Sequence, residues 1–92
     1  MTIQSFSCFD TESFFRTGVH SNFQHIKKPL TRKLSMLDSA VSLRDIDLPG
    51  NCLHKLCKEK RGKYSIKIND QYRLCFCWTE AGPTDVEVID YH

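Results

Sequence analysis

The sequence predicts an α+β domain in which an N-terminal strand and helices pack on one face of a twisted antiparallel sheet. Three observations carry this. Apolar residues recur at helical spacing from Ile26 to Val41, and the period changes to two after Tyr64. No repeat, linker or low-complexity tract divides the chain, so residues 1–92 read as one domain. A chain of 92 residues buries a smaller share of its surface than a longer one, yet 40% apolar and 11% aromatic residues suffice for a core and argue against disorder.

The segment "TIQSF" predicts a short first strand with Ile3 and Ser5 on one side. Asp10 is the expected N-cap of "TESFFRT", its carboxylate accepting from the free amides that open a helix, and Gly18 is the expected stop. In the next helix Ile26, Leu30, Leu34, Leu37 and Val41 step by four, four, three and four, and Met36 and Ala40 widen the stripe. Pro29 is tolerated in a first turn, which starts the helix near Lys28; a kink in a longer helix is the alternative. Lys27, Lys28, Arg32 and Lys33 decorate its outer face. "SLRDI" adds a short helical turn, and "LPGN" ends the helical half.

Two strands follow. Tyr64, Ile66 and Ile68 alternate with Ser65, Lys67 and Asn69; Tyr72, Leu74, Phe76 and Trp78 alternate with Arg73, Cys75 and Cys77. A two-residue loop would set Ile68 opposite Arg73, core against polar. A three-residue loop, Asn69-Asp70-Gln71, pairs Ile68 with Tyr72 and Lys67 with Arg73, and keeps every later pair on one face. "EAGPT" is the next turn and "DVEVID" the last strand. Pairing Trp78 with Val86 and Phe76 with Val88 then sets Tyr91 opposite Arg73. Strict alternation puts Asp90 on the core side, so a bulge or the sheet edge must bring it to solvent.

Net charge is +2, but His54 to Arg73 holds seven basic residues (Lys55, Lys58, Lys60, Arg61, Lys63, Lys67, Arg73) against Glu59 and Asp70. That segment is +5 and the remainder −3, which points to one face for an anion. The five cysteines include no CxxC pair, and "CFC" lacks the ligand spacing of common zinc sites; buried, inert thiols are expected. "MTIQSFSCFD" has no basic n-region and no long apolar run, so a cytoplasmic protein with reduced thiols and no membrane span is expected.

Lys67, Arg73, Tyr91 and His92, with His54 of "CLHKL" as the further candidate, suit a phosphodiester. Arginine binds phosphate through paired hydrogen bonds and stabilises charge building on it, while histidine moves protons near neutral pH. In RNA the 2′-hydroxyl is a built-in nucleophile, so neither metal nor cofactor is required, and the sequence has no acidic cluster suited to magnesium. The negative charge of a terminal carboxylate within His92 would favour its imidazolium form, an acid for the leaving 5′-oxygen. His20 and His25 are assigned no role.

"GKYSIKINDQYRLCFCW" followed by "VEVIDYH" resembles the HigB branch of the RelE/ParE toxin superfamily, the plasmid maintenance killer proteins; "RKLSMLDSAVSLRDIDLPG", "LHKL" and "IQSF" resemble the same branch. The resemblance covers essentially the whole chain. It implies a RelE-like fold and a ribosome-dependent endoribonuclease that cuts translated mRNA, neutralised by a HigA-type helix-turn-helix antitoxin. By the same resemblance, catalytic importance falls on His54, Arg73, Asp90, Tyr91 and His92. Lys58 stands near a family basic position after "LHxL", and Asn69 and Asp70 stand where relatives carry an additional arginine, a charge that Lys67 can supply. Lys55, Lys58, Arg61, Lys67 and Asn69 are thus the expected RNA- and phosphate-binding set. A ParE-like toxin that binds gyrase without catalysis is the competing reading. A non-cleaving RNA-binding domain is another, but Tyr72, Phe76 and Trp78 read as core rather than as an exposed stacking platform.

Overall fold

A computed structural model describes residues 2–56 and 62–90. Helices α1 (Phe9–Thr17) and α2 (Lys27–Ser39) precede strands β1 (His54–Leu56), β2 (Lys63–Lys67), β3 (Tyr72–Thr79) and β4 (Gly82–Asp90). The strands form one antiparallel sheet in the order β1-β2-β3-β4. The architecture is the predicted α+β arrangement, with the helices on one sheet face.

Helix α2 carries the core. Ile26, Leu30, Leu34 and Leu37 are buried against Ile66, Leu74, Phe76 and Val86 of the sheet; each such side chain contributes about 1.5–3 kcal/mol. Pro29 falls in the first turn, where its missing N–H costs nothing, and the helix begins at Lys27 without a break. Val41 does not continue the stripe. The backbone turns extended at Ala40, and Val41 is 67% exposed. The predicted turn at "SLRDI" is a 3-10 helix, Leu43–Ile46, closed by a Ser42–Asp45 capping box. Amides of Val41 and Ser42 donate to the Asp45 carboxylate and hold it below its ordinary range.

At α1 the expected cap is corrected. Cys8 occupies the N-cap without a side-chain bond, and Asp10 lies inside the first turn. There its carboxylate meets His20 Nε2 at 3.1 Å and accepts from Asn22, so His20 has a structural partnership that the sequence reading did not assign. Gly18 ends the helix as expected, in the left-handed conformation, its N–H donating to Phe14.

The first strand also needs correction. "TIQSF" runs beside β4 but is reduced to one parallel bridge, Phe6 to Val86, with Gln4, Ser5 and Ser7 making backbone bonds to Pro83 and Val86. Ile3 packs against the core, whereas Ser5 is exposed.

The β2–β3 register is the predicted one, from Lys63 opposite Cys77 to Lys67 opposite Arg73, and the Ile68 amide donates to Tyr72. The β3–β4 register is not. Arg73 faces Ile89, Tyr72 faces Asp90, and Trp78 faces Pro83 rather than Val86. The turn is the two residues Glu80-Ala81, and β4 carries one additional residue where Cys75 pairs with Glu87 but Cys77 with Thr84. Asp85 in that bulge has φ 53°, the left-handed conformation that lets an extra residue leave the ladder. The expected pairs are three residues out beside the turn, because the turn takes two residues rather than the whole of "EAGPT", and the bulge, which alternation alone cannot reveal, brings the difference to two from Cys75 onward. Tyr72 and Trp78 are partly buried against the core, and Phe76 fully so.

Candidate functional site

The sheet face turned away from the helices is built by register. Cross-strand partners share a face, so His54, Ser65, Cys75 and Glu87 form one row, and Lys67, Arg73 and Ile89 the next. Three predicted site residues, His54, Lys67 and Arg73, therefore stand on a common face. Lys67 Nζ lies 3.1 Å from the Asp70 carboxylate. Lys63 and Glu87 pair more loosely at 3.8 Å.

Arg73 is held in detail. Its Nε donates to the Ser65 hydroxyl at 2.9 Å, and Nη2 donates to the carbonyls of Ser65, at 3.3 Å, and Cys52. Cys52 adopts φ 48°, which turns the chain sharply just before β1. Behind it Asn51 is buried. Its amide nitrogen donates to the Ile46 carbonyl and lies 3.1 Å from the Met36 sulfur, its side-chain oxygen accepts from Lys33 Nζ, and its carbonyl accepts from the Lys67 amide at 2.6 Å. Burial, with Arg32 close by, pushes the Lys33 ammonium below its usual range.

Other predicted residues fall elsewhere. Lys55 pairs with Tyr64, in the alternate row, so register separates it from His54. Asn69 works in the turn: its side-chain oxygen accepts from the amides of Gln71 and Tyr72 and closes the hairpin. Asp90 sits opposite Tyr72 in the core-side row, as alternation requires; it reaches solvent at the sheet's end and accepts from the Gln71 amide. Lys58, Arg61, Tyr91 and His92 lie outside the described residues. His25, assigned nothing from sequence, meets the Tyr72 ring edge-on at 5.5 Å.

The thiols divide. Cys75 is fully buried, and burial, reinforced by Glu87, raises it to about 11, so it is the inert packing thiol expected. Cys52 corrects that expectation, because it is exposed. Among the described residues no three His, Cys, Asp or Glu side chains converge as metal ligands, and no helix is long and apolar enough to cross a membrane.

The sequence reading missed Ser65, Asn51 and Cys52. Ser65 carried one usable signal, a small hydroxyl on the same face as Arg73 in the neighbouring strand. Asn51 carried none, since a polar residue after Pro-Gly reads as a turn.

Comparison with known proteins identifies the family. The sequence model of the family described as "RelE-like toxin of type II toxin-antitoxin system HigB" matches residues 5–92. Toxin HigB-1 of Vibrio cholerae serotype O1 is 41% identical over 57 residues, which span 61% of this chain and 60% of that relative. The chain belongs to the HigB-like, RelE-like toxins of type II toxin-antitoxin systems.

Proposed function

We propose that this HigB-type toxin is a ribosome-dependent endoribonuclease that cleaves translated mRNA without a metal. The observation that carries the reading is the Arg73 guanidinium, fixed by Ser65 and Cys52 on a sheet face that also presents Lys67 and His54.

In the reaction the 2′-oxygen of the substrate attacks phosphorus and the bond to the 5′-oxygen breaks, leaving a 2′,3′-cyclic phosphate and a free 5′-hydroxyl. His54 takes the proton from the 2′-hydroxyl, and His92 returns one to the departing 5′-oxygen. Arg73 bonds the non-bridging oxygens as negative charge grows on them, with Lys67 adding a second cation. Asp90 and Tyr91 complete the proposed catalytic set. A type II toxin implies an antitoxin; the reading gives it the HigA type, with a helix-turn-helix domain, and sets the protein's work in the cytoplasm, where translated mRNA lies.

Induced expression of wild type, Arg73→Ala and His92→Gln, followed by mapping of mRNA 5′ ends, tests this. Wild type should create new ends within translated regions. Arg73→Ala should reduce them by on the order of 100-fold or more, the usual loss when a main stabiliser of transition-state charge is removed. Toxicity without new ends would move the target to gyrase or another partner. Equal cleavage by all three proteins would remove the site assignment.

A further inference from the structure

Ser65 is only 1% exposed, yet it lies on the sheet face away from the main core, between His54 and Cys75. A buried hydroxyl is costly unless it is bonded, and here its oxygen receives the Arg73 Nε–H. The Ser65 carbonyl takes Nη2 of the same guanidinium, together with the carbonyl of Cys52. These three acceptors are uncharged. They orient the guanidinium and add no charge of their own.

The frame behind them is rigid for identifiable reasons. The Cys52 carbonyl is aimed by a left-handed backbone, and the preceding Asn51 ties that turn to the helical half through Ile46, Met36 and Lys33 and to β2 through the Lys67 amide.

We propose that Ser65 is a positioning residue for RNA cleavage: with the Cys52 carbonyl it fixes the plane of the Arg73 guanidinium so that the fork meets the scissile phosphodiester in one orientation. This rests on the endoribonuclease reading. Displacing a catalytic group by about 1 Å can cost roughly 100-fold in rate, so loss of this hydroxyl acts on the chemical step and not on ribosome binding.

The test uses full-length toxin on programmed ribosomes under single-turnover conditions. Ser65→Ala should lower the maximal cleavage rate between about 10- and 100-fold while leaving the half-saturating toxin concentration within about twofold. In an Arg73→Ala background the same change should add nothing, because the two residues act as a unit. Ser65→Cys, close in volume but a poor hydrogen-bond partner, should behave like Ser65→Ala. In the free proteins, NMR should show the Arg73 Nε–H exchanging with solvent faster in both variants than in wild type. Wild type that leaves mRNA intact overturns the proposed function. Wild type that cleaves while Ser65→Ala keeps the full rate, or loses rate additively with Arg73→Ala, overturns the positioning role alone. An unchanged Arg73 Nε–H exchange rate also overturns it, independently of any activity.

Discussion

The two long hairpins of the sheet share β3 but are built differently. In β2–β3 five pairs run without interruption, and the turn is closed by one side chain, Asn69. In β3–β4 the turn is two residues long, and the ladder is broken by a bulge at Asp85. The regular hairpin presents the cations, Lys67 and Arg73, in adjacent positions. The bulged one gives β4 the additional twist that brings it to the N-terminal segment, where Ser5 and Ser7 bond the backbone on both sides of Asp85. The proposed chemistry sits where pairing is regular, and closure of the fold sits where it is not.

The largest test of this division strikes the strand both hairpins use. Phe76 is fully buried and stacks on Tyr64 at 6.2 Å. Phe76→Ala should cost about 3–5 kcal/mol in urea unfolding, a large share of the roughly 5–15 kcal/mol that holds an ordinary domain together. A loss under about 1 kcal/mol would mean that the hairpins do not depend on their common strand.

Asn69→Ala removes two bonds to turn amides and should cost about 1–2 kcal/mol. Cleavage should fall only as far as the folded fraction falls. A larger drop in activity than in stability would show that Asn69 acts on the RNA as well as in the turn.

Asp85→Gly should act in the opposite direction. An exposed non-glycine residue at φ 53° carries a steric penalty that glycine lacks, so stability should rise by up to about 1 kcal/mol. A decrease would show that the aspartate side chain holds the bulge.

The smallest effects concern thiols. A thiol reagent at pH 8 should label exposed Cys52 readily and leave Cys75 untouched until the protein unfolds. Cys75 also sets a pH dependence. From about pH 9 the unfolded chain releases this proton, while the folded protein keeps it to about 11, so stability should fall as pH rises through that window. Cys75→Ala should flatten the fall, and an unchanged curve would refute the assignment.

The legibility of the sequence follows the same line. Matching faces around Asn69 gave the β2–β3 register and the pairing of Lys67 with Arg73, because both strands there show strict alternation. The helix over Lys27–Ser39 was legible from its stripe, although the stripe overran to Val41 after the backbone had turned. The bulge was not legible, since an additional residue at φ > 0 leaves no mark in hydrophobic period when that residue is Asp rather than Gly. Nor was the hold on Arg73, because the acceptors described for it include two backbone carbonyls, and any residue type has one.

The N-terminal segment bonds to β4 across nearly the whole length of the chain, Ser7 meeting Asp85 and Glu87. Contacts so distant in sequence form late, since a long loop must close first. During synthesis the segment around Ser5 and Ser7 has no place to dock until β4 has left the ribosome. A growing toxin chain would therefore remain unfinished for as long as its last strand is still being made.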